Sequence, residues 1–450
     1  MSIMRWARIM VECASPLSLG SGAVPSEGDM EILRDANGLP MLPGTSIAGA
    51  LRSKLTPEIQ KTLFGFQMAG EADHDKAGRI SRVAVDMGYV HDSKNIPVRG
   101  LRLEGFEGDE VLKLLGSRYP VRRSHVKLDH RGVSALESRG LHERTAVPRG
   151  TRFSFDLRFW PEPNGVIRDT DQENWRSLIT QLSRQDFRLG GATRRGYGAV
   201  KVLTIQQLEI DLTKALSADA SAVFAEVKRT VPAQVKPWKT ISLKPDNYWR
   251  VGGGDKTFSP ELKKTKDHPI DQTPYLENVI EWRNNNEHSA TAEIKQSLII
   301  PASSIKGALK HRTLFHYLRI KKIYSLQTNP YPLEKLFGRL SDDGHGEIGK
   351  IIIDDGLAEI GEPSIPNQSH FQVHNSIDRY SGGTRNGMLY SEELVLANIR
   401  FTLQQPENVP EELLSAFECA LQDLCEGRLA LGAGSAKGHG YFSKASEASK

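Results

Sequence analysis

The chain has 450 residues, 38% hydrophobic and 25% charged, with a formal net charge of +4; this length suits two or three domains, each with its own core. Its three cysteines, Cys13, Cys419 and Cys425, are too few and too scattered for a disulfide framework or a zinc quartet. Arg5, Arg8 and Glu12 break the apolar start, so it does not read as a secretory signal, and no apolar run approaches the roughly 20 residues of a membrane span. A soluble, cytoplasmic protein with no membrane partner is expected.

In chain order, Arg8–Ala14 alternates and predicts a strand, ended by Gly20-Ser21-Gly22. Pro43-Gly44-Thr45-Ser46 predicts a turn and a helix start whose hydroxyls cap orphan N–H groups. Ile47, Leu51 and Leu55 then form one buried stripe. Arg118 to Arg152 holds nine arginines and lysines against three acids, a local +6 that exceeds the +4 of the whole chain. That asymmetry predicts a groove that tracks phosphates. Phe153–Phe159 reads as a strand, Trp175–Leu182 as a helix, and Ala199–Leu203 as a closing strand after the glycine-rich turn LGGATRRGYG.

The same order then recurs. RIMVECASPLSLGSG from Arg8 is matched by TISLKPDNYWRVGGG from Thr240. LPGTSIAGALR is matched by IPASSIKGALK, with Pro43 and Pro301 258 residues apart. Leu63-Phe64-Gly65 returns as Leu336-Phe337-Gly338, HVKLD from His125 as HNSID from His374, and LGGATRRGYG from Leu189 as LGAGSAKGHG from Leu431. Five pairs in one order predict a duplication. The boundaries are a first domain over 1–205, a linker over 206–237 with a helical stretch at Leu216–Val231, and a second domain over 238–450. Strand, helix, strands, helix, strand is the order of a ferredoxin-like α+β sandwich, one per copy. The second copy carries a polar insertion, from Asp255 to Lys295, expected to be a partly ordered loop.

A helix start with free N–H groups and hydroxyls suits a phosphate, plain capping being the alternative. Thr45 and Ser46, and Ser303 and Ser304, occupy that place, with Arg52 in one copy and Lys306, Lys310, His311 and Arg312 in the other. Arg194, Arg195 and Tyr197 lie between the glycines of the first turn, and Lys437 and His439 in the second. Glycine admits backbone close to a ligand, arginine adds charge and an aromatic ring stacks on a base.

These segments resemble the RAMP superfamily of CRISPR-associated proteins. The carriers are Pro-x-(Thr/Ser)-Ser-Ile-x-Gly-Ala-Leu followed by a base, in both copies, and the terminal glycine-rich loop. The resemblance is to a fused tandem backbone subunit of type III, III-D-like, effector complexes. It implies two RRM-like palms with thumb hairpins that bind a guide RNA and complementary target RNA beside other RAMP and large subunits. The thumbs would be HVKLDHRG and HNSIDRYSGG, with Arg122, Arg123, His125, Lys127, His374 and Arg379 among the RNA contacts. The resemblance also implies metal-dependent cleavage of the target through a loop aspartate, with Mg2+ expected and the ribose 2′-hydroxyl as nucleophile. DMEILRDANGLPMLPGTS places Asp29 at that position; in the second copy the pattern departs, and Asp271 is the candidate. An RNA scaffold without nuclease activity stays open. So does a guide-processing endoribonuclease, for which His74 and His91 are available. The order strand, G-x-x-x-x-G-K-[ST], helix of a nucleotide-binding enzyme is missing.

Overall fold

Strand β1 (Ile3–Cys13) puts Ala7, Ile9 and Val11 on one fully buried face, and the first unit is built around it. The structure, a computed structural model, describes residues 3–20, 31–67, 78–102, 106–126, 141–162, 170–213, 224, 226–233, 235–252, 254, 256–259, 270–286, 289–323, 331–339, 346–359 and 368–445. Asp29, His74, Lys127 and most of the predicted linker helix lie outside them.

After β1 come α1 (Gly44–Arg52), α2 (Pro57–Phe64), the short pair β2 (Phe66–Gln67) and β3 (Gly78–Arg79), then β4 (Val83–Val85), β5 (Tyr89–Val90) and α3 (Glu110–Gly116). Two strands, β6 (Val121–Val126) and β7 (Leu141–Ala146), form a separate antiparallel hairpin. The palm closes with β8 (Arg152–Phe159), α4 (Thr170–Gln181) and β9 (Val200–Asp211). Its antiparallel sheet runs β4-β8-β1-β9, with Ile9 opposite both Phe155 and Ile205. The buried Ile47 and Leu51 of α1, and Trp175 and Leu178 of α4, cover one face. β9 extends past the expected limit at 205 because its alternation continues to Asp211 against β1.

The second unit repeats the plan. β10 (Lys239–Pro245) is followed by β11 (Leu276–Asn286), β12 (Ser289–Ile300), α5 (Ala302–Ile320) and α6 (Tyr331–Phe337). Then come β13 (Ile352–Ile353), β14 (Gly356–Glu359), a second hairpin of β15 (Ser369–His374) and β16 (Tyr390–Val395), β17 (Asn398–Gln404), α7 (Glu411–Cys425) and β18 (Phe442–Lys444). The sheet order is β11-β12-β14-β17-β10-β18. In both sheets the first strand lies between the last strand and the one after the hairpin, the ferredoxin-like arrangement expected. Among the described residues no helix is long and apolar enough to cross a membrane.

The insertion corrects the expectation of a partly ordered loop. From Leu276 onward it forms the hairpin β11–β12, in register from Leu276 opposite Leu298 to Asn284 opposite Ala290. Val279 and Ile280 give the hairpin a buried edge that the polar composition hides. That edge lies on the first unit. The Ile280 N–H donates to the Arg149 carbonyl at 2.9 Å, the Trp282 indole to the Gly150 carbonyl at 2.7 Å, and Ile280 belongs to the first unit's core.

Candidate nucleic-acid interface

Both helix starts differ from the sequence expectation. Pro43 and Pro301 are the N-caps and no side chain caps either helix, since extended proline directs the chain into the first turn without a hydroxyl. Thr45 and Ser46 therefore face outward, exposed. In the second unit the Ala302 N–H donates to Asp355 Oδ1 at 2.8 Å, so a protein carboxylate already fills the place expected for a phosphate beside Ser303 and Ser304.

The strand β6 alternates strictly, with Val121, Arg123 and His125 buried and Arg122 and Ser124 exposed. Arg123, 2% exposed, places its guanidinium between Glu277 of β11 and Asp355 beyond β13. It donates to Asp355 Oδ1 at 3.0 Å, Asp355 Oδ2 at 2.7 Å and Glu277 Oε2 at 2.9 Å, and also to Glu277 Oε1. The Tyr275 hydroxyl lies 2.7 Å from Glu277 Oε1 and 2.8 Å from the Arg122 carbonyl. Tyr197 is fully buried, its hydroxyl 2.9 Å from His125 Nε2 and its ring 5.1 Å from the Arg123 guanidinium. His125 stacks on His142 at 5.1 Å, and Ser303 Oγ lies 3.4 Å from its Nδ1. Burial, then the charges of His142, Arg123, Arg195 and Arg144, push the His125 pKa down to about 3, so the ring is neutral. A β-carbon added at Gly196 would collide with that of Ala302. Lys306 donates to the Arg194 carbonyl at 3.1 Å; burial and then Lys310, Arg194 and Arg195 lower its pKa to about 8.

Several expectations are corrected by such contacts. Arg123, His125 and Tyr197 are enclosed in a joint between the two units and so face protein, and Lys306, half-buried beside them, is turned to the Arg194 carbonyl. The basic stretch is no continuous groove either: Arg122 pairs with Glu143, Arg144 donates to Ser18 Oγ at 2.7 Å, and Arg152 pairs with Glu12 at 2.9 Å. Arg312 pairs with Asp423, which also binds Arg428 and His316, and this network ties α5 to α7. His91 is buried between Asn95 and Ser154 Oγ, 2.7 Å away, and burial lowers its pKa to about 4. The carboxylate of Asp271 accepts from the Ser391 N–H at 2.7 Å and its hydroxyl at 3.0 Å, bonds that lower its pKa and secure the start of β16.

Two open sites stand out among the described residues. In the first unit a cleft of about 380 Å³ is lined by Ser18, Gly20, Pro43, Ser46, Gly49, Arg188, Gly190, Gly191 and Thr193. It lies between the start of α1 and the glycine-rich turn, both predicted. Arg188 is 6% exposed and donates to the Tyr197 carbonyl and to Asp354, yet its Nε has no hydrogen-bond partner. Sequence comparison between the copies misses Arg188, because Ala430 stands at its place in the second turn. Arg194 is half-buried, its pKa lowered by burial and then by Arg188, and its Nε is also without a partner. Arg195 donates to His142 at 3.0 Å, and Arg52 is exposed on the last turn of α1. In the second unit a cavity of about 480 Å³ is lined by Asn247, Gln372, His374, Asn375, Ser376, Met388, Tyr390, Lys437 and His439. His374 and Lys437 pair with the buried Glu392, and Lys437 also reaches the Tyr390 hydroxyl. His439 is 4% exposed. Arg379 is exposed at the tip of the second hairpin, and Lys310 is half-buried on α5. Among the described residues no three His, Cys, Asp or Glu side chains gather to hold a metal ion.

Twin ferredoxin-like units, each with a separate two-stranded hairpin and a terminal glycine-rich turn, define a tandem α+β repeat protein. The model of the RAMP superfamily matches residues 10–201 and again 243–443, and the chain belongs to that superfamily. It is also 25% identical over 189 residues to the CRISPR system Cms endoribonuclease Csm3 of Methanocaldococcus jannaschii, across 40% of this chain and 68% of that one.

Proposed function

We propose that the chain is a guide-RNA-binding backbone subunit of a type III CRISPR effector complex that also cleaves complementary target RNA. The observation that carries the RNA reading is the open cleft in which the uncapped start of α1 faces the glycine-rich turn. An RNA phosphate seated there meets the N–H groups of α1 and the hydroxyls of Thr45 and Ser46 at once. Such contacts go to phosphate and ribose, so binding carries little sequence preference, favours RNA over DNA and weakens with salt.

Asp29 lies in sequence between Gly20 and Pro43, two residues that line this cleft. Its proposed role is to take the proton of a ribose 2′-hydroxyl. The 2′-oxygen then bonds to phosphorus and the 5′-oxygen leaves, taking up a proton from water, to give a 2′,3′-cyclic phosphate and a 5′-hydroxyl. Mg2+ is an expected requirement of the cut. The second unit reads better as a binder, since Ser391 holds the carboxylate of Asp271.

The test is cleavage of labelled RNA complementary to the guide by the reconstituted complex, with and without EDTA. Asp29→Ala should slow one cut by about 100-fold or more while RNA binding survives. Asp271→Ala should leave every cut in place. Cleavage unchanged by Asp29→Ala would reduce the chain to a scaffold.

A further inference from the structure

The arm over residues 31–42, between Asp29 and α1, is held first by its own backbone. Leu33 donates its N–H to the Leu19 carbonyl and Met41 to that of Leu33, both at 2.9 Å, so the arm runs out and back toward Pro43. Asp35 closes the turn: its Oδ1 accepts the N–H groups of Asn37 at 2.8 Å and Leu39 at 2.9 Å, and Gly38 takes a left-handed φ of +75° there. Ile32, Leu39 and Leu42 are buried in the first unit's core.

Arg34, half-buried on this arm, reaches beyond it. Its Nη1 donates to the Gly38 carbonyl at 2.6 Å and to the Leu115 carbonyl at 2.9 Å, and its Nη2 to the Ser117 carbonyl at 2.6 Å. The first bond braces the arm's own turn. The other two lie at the C-terminal end of α3, where carbonyls lack an intrahelical donor. Val111, Leu112 and Leu115 anchor α3 in the core, and four residues after Ser117 the chain enters β6 at Val121. One planar guanidinium therefore holds the arm that follows Asp29 at a fixed separation from the root of the first hairpin. The backbone pairs and buried side chains of the arm do not depend on these bonds, so their loss spares the fold and lets the arm shift against the hairpin.

We propose that Arg34 is a positioning residue for the cut: it fixes the arm that follows Asp29 against the root of the hairpin, and so selects the phosphodiester that Asp29 meets. This rests on the reading of Asp29 as the group that cuts and of the hairpin as a holder of RNA. A reacting group displaced by about 1 Å costs about 100-fold in rate. A displacement along the RNA also brings neighbouring 2′-hydroxyls to the carboxylate, so both rate and cut position depend on Arg34.

Single-turnover cleavage by the reconstituted complex, in excess over labelled complementary RNA, tests it at nucleotide resolution. Arg34→Met keeps an unbranched aliphatic stem and removes all three hydrogen bonds. It should slow the cut about 10- to 100-fold at saturation. Target affinity and the thermal melt should stay near wild type, and the residual cutting should spread to adjacent phosphodiesters. Arg34→Lys should recover part of the rate, since an ammonium still donates to some of the carbonyls, and it carries the same test if Arg34→Met does not fold. A merely structural role would move the melt and leave the cut position alone. A rate within about threefold of wild type, or slow cutting confined to the wild-type phosphodiester, would overturn the proposal. Asp29→Ala in the same series separates the two readings. Cleavage untouched by Asp29→Ala sinks the nuclease reading, whereas cleavage lost in Asp29→Ala and unaltered in Arg34→Met sinks only this one.

Discussion

Replacing Arg123 by alanine tests the joint most directly. The three side chains are 2% (Arg123), 4% (Glu277) and 6% (Asp355) exposed, so removing the guanidinium leaves two carboxylates deep in protein. Breaking a buried pair costs about 3–5 kcal/mol. The lower end applies here, because Asp355 keeps the Ala302 N–H and Glu277 keeps the Tyr275 hydroxyl. A loss of about 3 kcal/mol is therefore expected in urea titrations followed by circular dichroism and tryptophan fluorescence. Trp282 sits in the joint, its ring 4.0 Å from the Arg152 guanidinium, so fluorescence should report the opening locally. Arg123→Lys should restore little, since one ammonium cannot serve two carboxylates bidentately. The triple change Arg123→Met, Glu277→Gln, Asp355→Asn should recover most of the loss by removing the stranded charges. A cost below about 1 kcal/mol for Arg123→Ala, the range of a surface pair, would refute the buried joint.

Gly196→Ala and Gly438→Ala impose the same left-handed strain, but only the first meets Ala302. Thermal melts should show the larger loss at 196, and equal losses would mean the close approach is absent. His125 should make stability depend on pH. Its folded pKa of about 3 lies below its unfolded value near 6.5, so the unfolded chain binds more protons between these limits. Its contribution is present in full above pH ~6.5 and falls away as pH drops toward 3; His125→Gln should flatten that slope in urea titrations. Arg195→Gln should weaken RNA binding about equally across sequences and lower the slope of log affinity against log salt by about one. An unchanged slope would remove Arg195 from the phosphate path.

The palms were legible because their order is local: alternation in Phe153–Phe159, the stripe of Ile47 and Leu51, and glycine-rich turns all stand in continuous stretches. The thumbs were legible because His125 and His374 head hairpins that do form. What the chain conceals is the partner of each charge. Arg123 reads as one more base in a basic run, and only folding brings Glu277 and Asp355 to it, 154 and 232 residues on. The same applies to β11–β12, whose composition suits solvent while Val279 and Ile280 are buried. Arg188 went unread because an unmatched buried Nε is a property of packing, absent from any motif.

The docked hairpin has a consequence for synthesis. The last strand of the first unit ends at Asp211, yet its core includes Ile280. When Asp211 has left the ribosome the first unit has its sheet and helices but an open flank at Arg149 and Gly150. It seals only once the insertion of the second unit has been made and folds back. The N-terminal half thus matures after part of the C-terminal half exists, and a truncation before Ile280 should expose an apolar face to chaperones and proteases.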